Sequence, residues 1–248
     1  MRALTAAVLG LGWATLAWAQ TTPPATPAVP AYKVGEWNEL FNGRDFTGWA
    51  CRNYKAHAWM PAEDFWKIEE GALLTIKGTD LWTVARFGDF KLELEFRHDP
   101  ERNQGNAGNS GVFLRRDNDD WLNTGFEIQV FKSYGQNPPG KQDCGALYDC
   151  VAPGTNALTE IGEWQKYHIT FKGNLLTVEL NGVKIVDVNL DDWKEPHKNP
   201  DGSKNKFKYA YKDMARDGHI GLQFHGDPLM YRQLRIKPLT APQPPVEK

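Results

Sequence analysis

Six side chains carry the chemistry this chain offers on one wall: Glu95, Arg115, Glu127, Gln129, Gln223 and His225. They lie in segments whose apolar residues alternate with period two, the pattern of half-buried β-strands. In N-S-G-V-F-L-R-R, Val112 and Leu114 share one face, and Asn109, Phe113 and Arg115 share the other. In G-F-E-I-Q-V-F, Phe126, Ile128 and Val130 face one way while Glu127, Gln129 and Phe131 face the opposite way. G-H-I-G-L-Q-F-H-G turns Ile220, Leu222 and Phe224 inward and Gln223 and His225 outward. Residues 90–97 put Glu95 opposite the apolar Phe90, Leu92, Leu94 and Phe96. If these strands are neighbours, two carboxylates, an imidazole, a guanidinium and two amides meet on one surface. His and Glu can then serve as acid and base, while Arg and the amides hold hydroxyls or a developing oxyanion. Glu95, Glu127 and His225 are also suitable ligands for a divalent cation, although no spacing signature marks such a site and no cofactor is otherwise expected. The plainer reading is an antiparallel pair whose outer face is partly covered by a loop.

The elements that must position these groups are short strands. Residues 65–76 read as a hairpin turning at Glu70-Gly71, residues 164–171 as a strand, and residues 175–188 as a hairpin turning at Asn181-Gly182. Residues 220–225 and 229–239 close the series, and no amphipathic helix of ordinary length is present. Many short strands with hairpin turns predict an all-β sandwich of two packed antiparallel sheets. The segment from Asn189 to Gly218 is long, polar and rich in lysine. It reads as a solvated loop, with a lid over a site as the lesser alternative.

Composition narrows the class. Of 248 residues, 41% are hydrophobic and 24% charged, with a net charge of −2, too little basicity for a nucleic-acid partner. Ten Trp and 23 Gly suit strands, turns and aromatic platforms. Residues 1–19 carry one positive charge, an apolar run and Ala17-Trp18-Ala19, the pattern of a cleavable secretory signal and too short for a membrane span. The expected product is a secreted or periplasmic protein with a Pro-rich linker over 20–31, a folded domain over 32–240 and a loose tail over 241–248. Export permits disulfides. Of Cys51, Cys144 and Cys150 one must stay unpaired; a small loop closed by Cys144 and Cys150 is favoured, with Cys51 bonded to one of them as the alternative. There is no G-x-S-x-G elbow, P-loop or dinucleotide fingerprint.

The motifs L-F-N-G-R-D-F-T-G-W, F-G-D-F-K-L-E-L-E-F-R, N-S-G-V-F-L-R, G-F-E-I-Q-V, G-A-L-Y-D, G-E-W-Q-K-Y-H-I-T-F and G-H-I-G-L-Q-F-H-G occur in that order. Together they resemble the 3-keto-disaccharide hydrolase domain family over about residues 37–239. The resemblance implies a concanavalin A-like jelly roll and action on sugars oxidised at C3. A C3 ketone acidifies the C2 proton; a base removes it, the C1 substituent is eliminated, and water adds to complete a net hydrolysis. On this reading Glu127 and His225 share the roles of base and acid, in either order, and Glu95 orients them or binds metal. Arg115, Gln129, Asn109, Ser110 and Gln223 hold substrate, with Tyr148 and Lys141 on the rim. Phe131-Lys132-Ser133 departs from relatives that carry an Asp after this strand, which weakens the metal reading. Two rivals remain. A two-carboxylate glycosidase would need carboxyl groups about 5–9.5 Å apart, and Gln129 stands where a second carboxylate on the strand would sit. A carbohydrate-binding module would use the aromatic residues alone.

Overall fold

The structure, a computed structural model, describes residues 27–102, 105, 108–117 and 124–246. The leader over 1–19, most of the Pro-rich linker, the greater part of the polar turn after Arg116 and the last two residues lie outside the described residues. Fourteen strands are present among those described. The first seven are β1 (Asn38–Glu39), β2 (Trp49–Asn53), β3 (Ala58–Met60), β4 (Trp66–Glu69), β5 (Ala72–Thr75), β6 (Leu81–Phe87) and β7 (Phe90–His98). The others are β8 (Ser110–Arg116), β9 (Phe126–Val130), β10 (Gln165–Lys172), β11 (Leu175–Leu180), β12 (Val183–Asn189), β13 (Gly218–Leu222) and β14 (Leu229–Pro238). No helix among the described residues is long and apolar enough to cross a membrane.

Two antiparallel sheets face each other. The larger runs β12-β11-β10-β7-β14-β5-β4, with β1 added beside β14; the smaller runs β3-β2-β6-β13-β8-β9. Neighbours far apart in sequence, such as β7 with β14 and β13 with β8, give the crossed connections of a jelly roll. The core lies between the sheets. Phe90, Leu92, Leu94 and Phe96 of β7 meet Val112 and Leu114 of β8 and Phe126, Ile128 and Val130 of β9 in one apolar cluster. The alternation that predicts β7 is therefore literal, each inward residue buried and each intervening one partly exposed.

Strand β6 is absent from the elements the sequence predicts, and its burial explains why. Six of its seven residues are buried, on both faces, so L-W-T-V-A-R-F shows no period-two contrast. The 189–218 segment also departs from expectation. It contains only two single-turn 3₁₀ stretches and is no loose solvated loop, because Trp193, Phe207 and Tyr211 are buried in the core. Tyr211 packs edge-on against Phe126 of β9 at 4.7 Å, and this pins the segment beside the smaller sheet.

The favoured Cys144–Cys150 disulfide is absent, and so is the alternative with Cys51: all three cysteines are free and buried. The sulfurs are drawn to different elements. Cys144 Sγ lies 3.3 Å from the Tyr167 hydroxyl on β10, and Cys150 Sγ lies 3.4 Å from the Tyr211 hydroxyl. Burial pushes the two thiols up to about 11 and about 12, where they stay protonated.

Candidate active site

The outer face of the smaller sheet carries its own apolar cluster, separate from the core: Ala50, Trp59, Trp82, Val84 and Phe113, with Tyr54 packed against it. Trp82 of β6 and Phe113 of β8 stack with centroids 5.2 Å apart and planes 14° from parallel. They flank β13, and they close over it because Gly221 has no side chain. A Cβ there would lie 2.5 Å from the Trp82 ring and 3.0 Å from Phe113. Asp80 precedes β6 with the parity of Trp82. Its Oδ2 accepts the Tyr54 hydroxyl proton at 2.9 Å, and its Oδ1 accepts the Phe224 amide at 2.9 Å. Trp82 Nε1 donates to the same Tyr54 oxygen at 3.1 Å.

Beside this aromatic floor sits Glu127. It pairs across β9 and β8 with Phe113, and it lies flat on Gly111, where a Cβ would be 2.7 Å from Oε1. The side chain is buried, and Arg116 Nη2 lies 3.8 Å from its Oε2. The Arg116 guanidinium also covers the Phe113 ring at 3.9 Å. Its Nε and Nη2 have no hydrogen-bond partner among the described residues. Burial raises the Glu127 pKa; the opposing influences are the charges of Arg116, Lys206 and His225 and a hydrogen bond from Gln223. Burial likewise raises Asp80, to about 6, against its two hydrogen bonds and the pull of Arg116. Lys206 comes from the 189–218 segment. Its Nζ stands 4.1 Å over the Tyr148 ring, and partial burial lowers its pKa although Glu127 favours its charge.

The sequence-predicted groups therefore divide. Glu127, Gln129 and Gln223 share the outer face as expected, and His225, exposed after β13, lies within electrostatic reach of Glu127. Arg115 does not join them. The pairing of β8 with β13 shifts by one residue between Phe113 and Arg116, and Arg115 takes φ +48°, the mark of a bulge. The extra residue hands the outward parity to Arg116. Arg115 instead closes the end of the sandwich: it donates to the carbonyls of Gly88 (2.8 Å) and Gly173 (2.6 Å), pairs with Asp89 at 2.8 Å and covers Phe171. Glu95 is also elsewhere. Strand β7 belongs to the larger sheet, where Glu95 accepts from Arg232 Nε at 2.7 Å. The trio Glu95, Glu127 and His225 therefore cannot share a cation, and no cluster of three or more His, Cys, Asp or Glu fit to hold a metal occurs among the described residues. Ser110 points into the sandwich, where its hydroxyl sits 2.6 Å from both the Gln223 carbonyl and the Tyr231 hydroxyl.

Asn109 and Gln129, expected to hold substrate, and Tyr148 and Lys141, expected on the rim, line one cleft of 540 Å³ next to Glu127. Arg116, Asp80, Tyr54 and Lys206 escape a reading of the sequence alone. Asp80 has the one usable signal, its two-residue offset from Trp82, which is visible only once β6 is known to be a strand.

The fold and this face define a concanavalin A-like jelly-roll sandwich that carries a buried carboxyl–guanidinium pair at the edge of an aromatic floor. Residues 36–237 match the 3-keto-alpha-glucoside-1,2-lyase-like domain, and the chain belongs to that family. It is similar to a 3-keto-disaccharide hydrolase of Bacteroides thetaiotaomicron, 25% identical over 237 residues covering 81% of this chain and 77% of the relative. Among solved structures it resembles a provisionally named glycosyl hydrolase from Parabacteroides distasonis, with 28% identity, a TM-score of 0.70, and coverage of 82% of this chain and 100% of the other. A second such protein from the same organism shares the fold at 23% identity and a TM-score of 0.65, over 82% of this chain and 94% of that one.

Proposed function

We propose that this chain is an exported enzyme that cleaves 3-keto glycosides, using Glu127 as the base that removes the C2 proton. The observation that carries the reading is the Glu127–Arg116 pair. A carboxyl whose pKa is raised by burial is a stronger base than a solvated one once it is ionised. The adjacent guanidinium, short of hydrogen-bond acceptors, suits the oxygen on which enolate charge develops. The electron pair left at C2 then forms the C1–C2 double bond as the C1–O bond breaks. His225, on the exposed loop, protonates the departing oxygen. Water adds back at C1 with a solvent proton at C2, and the net change is hydrolysis. The 3-keto-disaccharide hydrolase name of the Bacteroides relative supports the substrate class. A two-carboxylate glycosidase is less well supported, because Asp80, a second carboxyl on this face, has both oxygens engaged by Tyr54 and Phe224.

The test is turnover of a 3-keto disaccharide carrying deuterium at C2, followed by mass spectrometry beside its unoxidised parent. Loss of the label, a primary isotope effect and abolition by Glu127→Gln are expected. Cleavage of the parent at equal rate with the label retained would refute the proposal.

A further inference from the structure

The cleft beside Glu127 has a wall built for rigidity. Gln129 N donates to the Ala146 carbonyl at 3.0 Å, Gly145 N to the Gln129 carbonyl at 2.9 Å, and Tyr148 N to the Glu127 carbonyl at 3.0 Å. Residues 145–148 thus run along β9 as an added edge, and the positions of Gln129 and Tyr148 relative to Glu127 are set by backbone bonding. Gln129 lies on the face of Glu127 two residues further along, about 6.6 Å away for an extended strand. That offset is about one pyranose ring.

The polar groups of this wall select a ligand type. Lys141 Nζ is taken up by Asp201 at 2.9 Å and the Ser203 hydroxyl at 2.7 Å. Asp149 accepts the Lys206 amide at 2.8 Å. Of the residues lining the cleft only Lys141 is basic, and it is paired, while Asp143 and Asp149 are acidic, so an anion gains little. The side-chain amide of Gln129 is different. It is 2% exposed and donates through Nε2 to Asn109 Oδ1 at 3.1 Å, while its Oε1 has no partner among the described residues. Turning the amide over only exchanges which end is unsatisfied. A buried amide end without a partner is costly, and a ligand that completes it is strongly discriminated from one that does not. A group that both donates and accepts fits either orientation, and that group is a hydroxyl.

Resting on the proposed cleavage of 3-keto glycosides, we infer that this cleft holds the second sugar of a disaccharide, the leaving half. Gln129, braced by Asn109, is its specificity-determining residue. Asn109 is held from behind by its own amide, which donates to Asp227 Oδ2 at 2.7 Å.

The experiment compares kcat/KM for a 3-keto disaccharide with that for the corresponding 3-keto methyl glycoside, which has the same reacting carbons and no second sugar. Gln129→Leu and Asn109→Ala are each expected to lower the disaccharide-to-methyl ratio about tenfold, the effect of one lost hydrogen bond. If Gln129→Leu fails to fold, the variant at the half-buried Asn109 decides the matter. A ratio within about twofold of wild type in the folded variant overturns the inference. If the wild type cleaves neither compound, the proposed reaction fails, and the cleft is judged by binding of maltose in ligand-observed NMR. Maltose binding that is lost in the variant supports a sugar cleft; binding equal in both, or absent from the wild type, overturns it.

Discussion

Asp80 is where the structure makes its most quantitative demand. The carboxyl is 6% exposed and its pKa is raised from 3.8 to about 6, chiefly by burial. A raised carboxyl pKa means that the fold prefers the neutral acid. The associated stabilisation is complete below the unfolded-state value and disappears as the pH climbs through about 6. A shift of about two units corresponds to about 3 kcal/mol at 1.36 kcal/mol per unit. Asp80→Asn removes the titration yet keeps an oxygen for the Phe224 amide. Urea unfolding of both proteins between about pH 3.5 and about pH 7.5 gives the stability difference at each pH, and groups that titrate alike in both cancel. Wild type minus variant should fall by about 3 kcal/mol over that range, with the steep part between about pH 4 and about pH 6. A flat difference would mean that Asp80 is solvated or fully compensated by Arg116. In that case the buried polar strip joining Tyr54, Asp80 and Arg116 is not as described.

Five further outcomes are expected. Arg116→Met should lower kcat by about 10²-fold or more and push the acid limb of the pH–rate profile upward, because Glu127 loses the charge that opposes its raised pKa. Arg115→Met should instead cost about 1–3 kcal/mol in denaturant melts, since it removes a buried guanidinium and leaves the Gly88 and Gly173 carbonyls without their donor; the reverse pattern for the two arginines would place the bulge wrongly. Gly111→Ala should reduce turnover through displacement of Glu127, and Gly221→Ala should cost about 1–3 kcal/mol by forcing Trp82 and Phe113 apart, both measurable in folded protein. A thiol reagent should find no fast-reacting cysteine in the native protein and three after denaturation, whereas a disulfide would leave one.

The architecture was legible wherever one face of a strand is core and the other is wet. Strands β7 and β11 show this contrast directly. It vanished at β6, buried on both sides, and with it went any means of seeing Asp80 on the wall of Trp82. Glu127 and Gln129 kept their parity because β9 is regular. The error at Arg115 has another origin. Period two assumes an unbroken pleat, and a bulge is a local backbone event that neither hydrophobicity nor residue type betrayed here. Glu95 failed for a topological reason: its parity within β7 was right, but which sheet receives β7 depends on long-range pairing with β10 and β14. Lys206 lay hidden in a lysine-rich stretch whose anchoring aromatics, Trp193, Phe207 and Tyr211, are too sparsely spaced to show a period.

The single irregular residue in β8 has a consequence for every comparison drawn with this chain. Two arginines that are adjacent in the sequence have unrelated duties, one tying the ends of the two sheets and the other pairing with Glu127 on the outer face. Moving the bulge by one residue along β8 would exchange those duties without altering which amino acids are present. Transfer of a catalytic assignment to a distant homologue should therefore follow the kink in the backbone, since a column of matched arginines can join a scaffold residue in one protein to a working residue in the other.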